Sequence, residues 1–154
     1  MAAPIADIAS PLNPVSSDRR VIESAVPTVT GVKYGVVVIG DTGTNNFRDV
    51  KLPTADGPTG VRGVVTDQGD PNNSGAFAVG DELGVCMSGV AEALLKAGAT
   101  ATKDEPCIAA NGGFVIPVAG SAPYDIVGTF RQTKTAGANA ELVSINVTPY
   151  RRFS

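Results

Sequence analysis

The residues that could carry out chemistry in this chain are few, and histidine is not among them. The 154-residue sequence contains no histidine, which removes the commonest general base, the usual activator of a Ser or Cys nucleophile and a frequent metal ligand. A Ser–Lys dyad would have to combine Ser88 with Lys96, and these lie more than about 20 Å apart if the chain between them is extended. The sequence therefore predicts a protein that is not an enzyme, with no catalytic residues and no cofactor.

The polar loop that begins at Asp67 is the strongest candidate for binding a ligand. Asp67, Asp70, Asn72 and Asn73 supply oxygen atoms at close spacing, and such atoms bind calcium in proteins. The acidic order, the glycine and the closing Glu of an EF-hand loop are missing, and Asx residues beside Gly and Pro commonly form turns. We expect a turn here, with a metal- or carbohydrate-binding module as the alternative.

Two other motifs are too incomplete to define a site. Cys86 and Cys107 are the only cysteines, and their spacing fits neither a CxxC redox pair nor a zinc site. We expect two buried free thiols, with a disulfide between them as the alternative. The segment 40–45 is rich in glycine but lacks the lysine and the following helix of a phosphate-binding loop, so a hairpin turn explains it.

The composition is typical of one globular domain with many short strands. Hydrophobic residues make up 43% of the chain, and its 18 glycines and 11 prolines indicate many turns. The net charge of −3 argues against nucleic acid as a partner, because phosphate binding requires a clustered basic surface. No apolar run approaches the roughly 20 residues that span a bilayer, and residues 1–20 lack a signal-peptide pattern. We therefore expect no membrane partner and synthesis in a cytoplasm.

The pattern of β-branched residues and turn signals predicts an all-β domain. Short strands are predicted at residues 34–39, 47–52, 61–66, 81–88, 105–109, 113–118, 124–132 and 141–147. Asn111-Gly112-Gly113 supplies the positive φ values that a sharp reversal between two strands requires. A helix at 91–97 would have barely two turns and little stability, so none is expected. The predicted fold is a small barrel or a β-tulip-like sandwich.

Residues 1–30 differ from the rest and are predicted to form an extended N-terminal arm, followed by a single β domain at 31–154. Four prolines in the arm forbid a continuous helix, and its recurring apolar residues could pack on its own domain or on another subunit. An unstructured terminus is the alternative. Aromatic and Arg residues near the C-terminus are types enriched at protein contacts, although a solubilising end would also contain Arg. The candidate interface residues are Ile5, Ile8, Leu12, Val15, Arg19, Arg20, Val21, Ile22, Tyr150, Arg151, Arg152 and Phe153.

Residues 85–118 contain a series of short motifs in a fixed order. A strand leads into Ser88-Gly89-Val90-Ala91 and is followed by the corner Ala97-Gly98-Ala99, by Glu105-Pro106-Cys107 and by the turn Asn111-Gly112-Gly113. Residues 126–130, a Gly- and Ala-rich turn and the last strand continue the pattern. In this order of motifs the chain resembles the capsid decoration, or cement, proteins of tailed bacteriophages, and the likeness covers residues 32–147.

The resemblance implies a β-tulip or small β-barrel domain on the outer surface of an expanded phage head. There a homotrimer would clamp neighbouring major capsid proteins and stabilise the capsid, and the arm would contact other subunits. The resemblance implies no catalytic residue, cofactor or metal, and it implies that the protein is part of the virion. Another virion component, such as a tail tube, a fibre base or an adaptor, is the alternative, because it would use a similar small β domain.

Overall fold

A computed structural model describes residues 20–153, and this part of the chain is all β apart from turns and loops. Its eleven strands are β1 (Val21–Pro27), β2 (Val37–Gly40), β3 (Asp49–Lys51), β4 (Val61–Val65), β5 (Leu83–Leu95), β6 (Thr100–Ala101), β7 (Pro106–Ala109), β8 (Val115–Pro117), β9 (Tyr124–Phe130), β10 (Lys134–Thr135) and β11 (Glu141–Arg152). A short 3-10 turn at Pro71–Asn73 precedes β5. The described residues contain no helix long and apolar enough to cross a membrane. The predicted all-β barrel class is confirmed.

The first half of the chain forms a closed five-stranded barrel. Its strands follow the order β1-β3-β2-β4-β5, and β1 closes the ring by pairing with β5. Cys86 marks the point where β5 has a partner on each edge, since it is paired with Ile22 of β1 and with Val64 of β4. Closure leaves these strands with few unpaired edges, which protects the barrel from edge-to-edge association.

The second half of the chain extends the same sheet from the other end of β5. From Gly89 to Leu95, β5 pairs with β11, and β9, β7 and β8 follow in order. Strand β8 returns to β5 through the pair Leu95–Val115. The 13-residue β5 therefore belongs to both halves of the fold.

Alternating residues of β4 and β5 supply two different hydrophobic clusters. Val65 and Val85 belong to the core of the first barrel, whereas Val64 and Cys86 belong to the larger cluster, which extends to Phe130 and other residues of β7, β9 and β11. This division follows from the period of two in a strand, which sends successive side chains to opposite faces. The two faces of the β4–β5 pair thus pack against two different hydrophobic clusters.

Two glycines allow neighbouring strands to come unusually close. A Cβ atom at Gly63 of β4 would collide with the carbonyl oxygen of Cys86, and one at Gly128 of β9 would collide with that of Asn146. In both cases the obstacle is backbone, which cannot rotate away as a side chain can. Glycine is therefore required at these two positions by the spacing of the strands.

Several local predictions are confirmed. The chain between Ala91 and Leu95 is strand and not helix. Gly112 and Gly113 have φ values of 87° and 90°, and they lie in the turn that joins β7 to β8.

The ends of the described chain differ from the sequence prediction. The last strand was expected to end at residue 147, but β11 continues to Arg152. The register shifts between Val147 and Tyr150, so the strand passes Pro149, which has no backbone N–H, through an irregularity. Val21 and Ile22 were assigned to the arm, and they lie in β1, which pairs with β5. Residues 1–19 lie outside the described part of the chain.

Both cysteines are free and buried, as predicted. Burial raises the pKa of Cys86, and it raises the pKa of Cys107 to about 12. A raised pKa keeps each thiol protonated at neutral pH, and only the thiolate is an effective nucleophile.

Replacing Gly128 with Ala should destabilise the protein strongly, because the added methyl group would push β9 away from the backbone of β11. We expect a loss of at least about 3 kcal/mol in the free energy of unfolding, measured by urea denaturation followed by far-UV circular dichroism. Gly98→Ala is the control. Gly98 has a positive φ, of 78°, which Gly128 lacks, but a Cβ there would meet no atom within 4 Å, so only the backbone conformation opposes the substitution. It should cost only about 1 kcal/mol. Equal losses for the two variants would contradict this account.

The two thiols of the native protein should react very slowly with an aromatic disulfide reagent at neutral pH. The high pKa of Cys107 lowers its thiolate fraction about a thousandfold relative to an exposed cysteine, and burial also blocks the reagent. Both thiols should titrate rapidly once the chain is unfolded in guanidinium. Rapid release of two equivalents from the native protein would show that the thiols are accessible.

Candidate interaction surface

Large apolar side chains that remain exposed indicate where this protein could contact a partner. In residues 20–153 they are Val21, Ile22, Phe47, Val79, Tyr150 and Phe153. Phe47 stands out because it lies in a loop of the first barrel and 67% of its surface is accessible. Single exposed apolar residues are common, so its surroundings decide its significance.

Phe47 and Arg62 form a stacked pair, which we call the ridge. The guanidinium carbon of Arg62 lies 3.9 Å from the centre of the Phe47 ring, within the range of a cation–π interaction. Arg62 Nη1 also donates a hydrogen bond to the Phe47 carbonyl oxygen at 3.0 Å. The two contacts fix an aromatic ring and a cation side by side on the surface.

The loop before Phe47 is held by a carboxylate. Asp41 Oδ2 accepts a hydrogen bond from Thr28 Oγ1 at 2.7 Å, and Asp41 Oδ1 accepts one from the Gly43 amide at 2.9 Å. These bonds lower the pKa of Asp41. The Asp41 amide in turn donates to the carbonyl oxygen of Asp49 at 3.0 Å, where β3 begins. These hydrogen bonds therefore hold the loop that carries Phe47.

Asp125 ties the ridge to the C-terminal strand. It is the one buried charged side chain in residues 20–153, with 6% of its surface accessible. Its Oδ2 atom accepts hydrogen bonds from the Gly60 and Val61 amides at 2.7 and 3.0 Å, and its Oδ1 atom accepts one from Arg151 Nε. This bond raises the pKa of Arg151. Asp125 thus joins the start of β4, which carries Arg62, to the end of β11.

Two concavities adjoin the ridge, and Phe47 and Arg62 line both of them. The pit, about 40 Å³ in volume, is further lined by Glu23, Ser24, Ala25, Arg48, Val50, Val85 and Met87. The cleft, about 500 Å³ in volume, is further lined by Gly40, Asp41, Thr42, Thr44, Asn45, Asn46, Thr59, Gly60 and Arg151. The pit opens onto the core of the first barrel, whereas most residues that line the cleft have polar side chains, including the guanidinium groups of Arg62 and Arg151.

Seven of the interface residues predicted from sequence can be located in the structure. Five others, Ile5, Ile8, Leu12, Val15 and Arg19, lie outside the described residues. Arg20, Val21 and Ile22 are exposed at the start of β1, and Tyr150, Arg151, Arg152 and Phe153 are exposed at the end of β11.

The start of β1 and the end of β11 lie near the ridge on different sides. Glu23, Ser24 and Ala25, which directly follow Ile22, line the pit, and Arg151 lines the cleft. The other six located residues line neither concavity.

The polar loop at residues 67–73 uses its acidic side chains to hold backbone. Asp70 Oδ1 accepts a hydrogen bond from the Asn72 amide at 2.9 Å, and Asp67 Oδ2 accepts one from the Gly84 amide at 2.8 Å. The first is the turn contact expected of an Asx residue, and the second ties the loop to β5, 17 residues further along the chain. Among residues 20–153, no group of three or more His, Cys, Asp or Glu side chains is arranged to hold a metal ion.

The sequence prediction missed Phe47, Arg62 and Asp125. A signal existed for Phe47, since it is followed by Arg48 and aromatic–Arg neighbours had marked the C-terminus. Asp125 also had a signal, because it is the only charged residue in the strand sequence YDIVGTF. Arg62 gave none, because its stacking on Phe47 joins a strand residue to a loop residue 15 positions earlier in the chain.

Comparisons with known proteins give a structural relative. No family model and no curated protein matches the chain. The crystal structure of the head fiber gp8.5 N base in bacteriophage phi29 is similar, with a TM-score of 0.54 at 15% sequence identity. The alignment covers 84% of this chain and 95% of that chain. At this identity the likeness establishes a shared fold.

Asp125→Asn should destabilise the protein, because the neutral amide cannot satisfy the two loop amides and Arg151 as a carboxylate does. We expect a loss of about 2 kcal/mol in the free energy of unfolding. Glu82→Gln is the control, because Glu82 also pairs with an arginine, Arg48, but 71% of its side chain is exposed. It should change stability by less than about 0.5 kcal/mol. Urea denaturation measures both, and equal effects would refute the central role of Asp125.

Proposed function

We propose that this protein is a non-enzymatic structural component of a phage virion. It attaches to the outer surface of the head and stabilises the capsid by clamping neighbouring major capsid proteins. The observation that carries the proposal is the shared fold with the phi29 head fiber base, which extends over nearly all of that chain. The resemblance of residues 85–118 to capsid decoration proteins points independently to the same class of virion protein.

The surface of the protein suits attachment to a repeating lattice. Its exposed apolar side chains are distributed over β1, the ridge and the end of β11, so one subunit offers several separate contacts. Several weak contacts made together give tight overall binding through effective concentration, and a homotrimer would multiply them again. A net charge of −3 limits association between free subunits.

The base of a head fibre is the second candidate function. The phi29 protein is named as the base of such a fibre, and this specific observation favours it over a tail tube or an adaptor. A fibre base would also bind the head, but it would present a further domain or partner away from the capsid. Electron microscopy of decorated heads distinguishes a flush subunit from a projecting one.

The proposal predicts that the purified chain binds expanded heads of the phage that encodes it, prepared without this protein. After mixing and sedimentation through a gradient, it should travel with the heads and saturate at a fixed ratio to the major capsid protein. The decorated heads should also survive heating that disrupts undecorated ones. Protein that stays at the top of the gradient at all ratios would refute head binding.

A double variant tests the C-terminal contact. Tyr150→Ser with Phe153→Ser removes two exposed apolar side chains, and loss of such anchors should weaken head binding roughly tenfold. Val79→Ser is the control, because Val79 is 55% exposed but lies outside the predicted contact regions. Equal binding by the double variant and the control would remove the C-terminus from the interface.

A further inference from the structure

The ridge separates two concavities of different chemistry that one extended ligand could occupy together. The pit is mainly apolar and opens onto Val50 and Val85 of the barrel core. Its volume of about 40 Å³ holds about three groups the size of a water molecule, which corresponds to the end of a Val or Leu side chain. The adjoining cleft is more than ten times larger by volume and is open to solvent.

The two guanidinium groups in the cleft have unused N–H hydrogen-bond donors. Arg62 uses Nη1 for the Phe47 carbonyl, and Arg151 uses Nε for Asp125. Each guanidinium has five N–H donors, so most of them have no acceptor in residues 20–153. The stack on Phe47 and the bond to Asp125 hold the two cations in place, which reduces the entropy lost when a ligand binds.

The cleft presents unused arginine donors on an acidic protein. The whole chain carries 15 acidic and 12 basic residues. Asp41 is the single acidic residue that lines the cleft, against Arg62 and Arg151, and Asp125 pairs with Arg151 from outside the lining. The two guanidinium charges are therefore offset by two carboxylates, and what the cleft offers a ligand is the N–H donors that remain unused. Arginine pairs with carboxylates through parallel hydrogen bonds, and this makes a carboxylate the complementary ligand.

We infer that the pit and the cleft together form a docking site for an extended segment of a partner protein that carries an apolar side chain close to a carboxylate. The apolar side chain enters the pit, and the carboxylate crosses the ridge to accept hydrogen bonds from Arg62 and Arg151. The inference rests on the proposed function, since the partner is then a virion protein to which this chain attaches. It adds the place on the barrel and the chemistry of the bound segment.

Peptide titrations of the full chain test the chemistry without a phage head. The probe is a capped Leu-Gly-Asp-Asp peptide, and its controls are Leu-Gly-Asn-Asn, which lacks the charges, and Gly-Gly-Asp-Asp, which lacks the apolar side chain. In ¹⁵N–¹H spectra the probe should shift the amide signals of Phe47, Gly60 and Arg62 saturably. Both control peptides should bind at least roughly tenfold more weakly than the probe. No shift at these amides, or equal shifts with all three peptides, would overturn the inference.

Variants then link the site to the head. Arg62→Gln should weaken binding of the acidic peptide roughly tenfold, while Arg131→Gln should not, because Arg131 is an exposed arginine outside both concavities. Circular dichroism verifies that both variants fold, and Phe47→Leu, which keeps an apolar side chain but removes the stack, should have an intermediate effect.

Head binding separates failure of the inference from failure of the proposed function. If wild type and Arg62→Gln bind heads equally well, the docking site is wrong and the proposed function stands. If wild type fails to bind heads, the proposed function is wrong, and the peptide titration still decides the chemistry of the site. Selective loss of head binding by Arg62→Gln, with Arg131→Gln unaffected, supports both.

Discussion

The constraint on which the rest of the fold depends is the sharing of one strand by two halves of the protein. Strand β5 pairs with β1 and β4 through residues up to Ser88, and with β11 from Gly89 onward. Its side chains therefore enter two hydrophobic clusters, and both clusters include residues of β5. Glycine permits the close approach of β4 to β5 at Gly63 and of β9 to the other long strand, β11, at Gly128.

The partner of β5 changes from β4 to β11 along its length. Asp125 links these two strands, because its buried carboxylate accepts hydrogen bonds from the Gly60 and Val61 amides on one side and from Arg151 on the other. A buried carboxylate is costly unless all its oxygen atoms are paired, and here both are. The same bonds hold Arg151, which lines the cleft together with Arg62, so the contact that joins the two halves also helps to form the cleft.

This arrangement explains how a small barrel can present aromatic and arginine side chains at one place on its surface. The barrel provides the frame, the loop at residues 40–47 supplies Phe47, and β4 and the end of β11 supply the two arginines. Such residues give much of the energy at protein contacts. The attachment to a phage head that we propose would use a surface of this kind.

Local patterns in the sequence were sufficient for eight of the eleven strands, all but β1, β6 and β10. They were also sufficient for the glycine turn at Gly112 and Gly113, the turn at residues 67–73 and the burial of both cysteines. Each depends on neighbours in the chain or on the polarity of single residues. The extension of β11 past Pro149 and the incorporation of Val21 and Ile22 into β1 depended on pairing with distant strands. The ridge and the cleft are also products of tertiary structure alone. Arg62, Asp125 and Arg151 are up to 89 residues apart in the sequence, and only closure of the sheet around β5 brings them together, because hydrogen bonds and stacking act over a few ångströms of space and not along the chain.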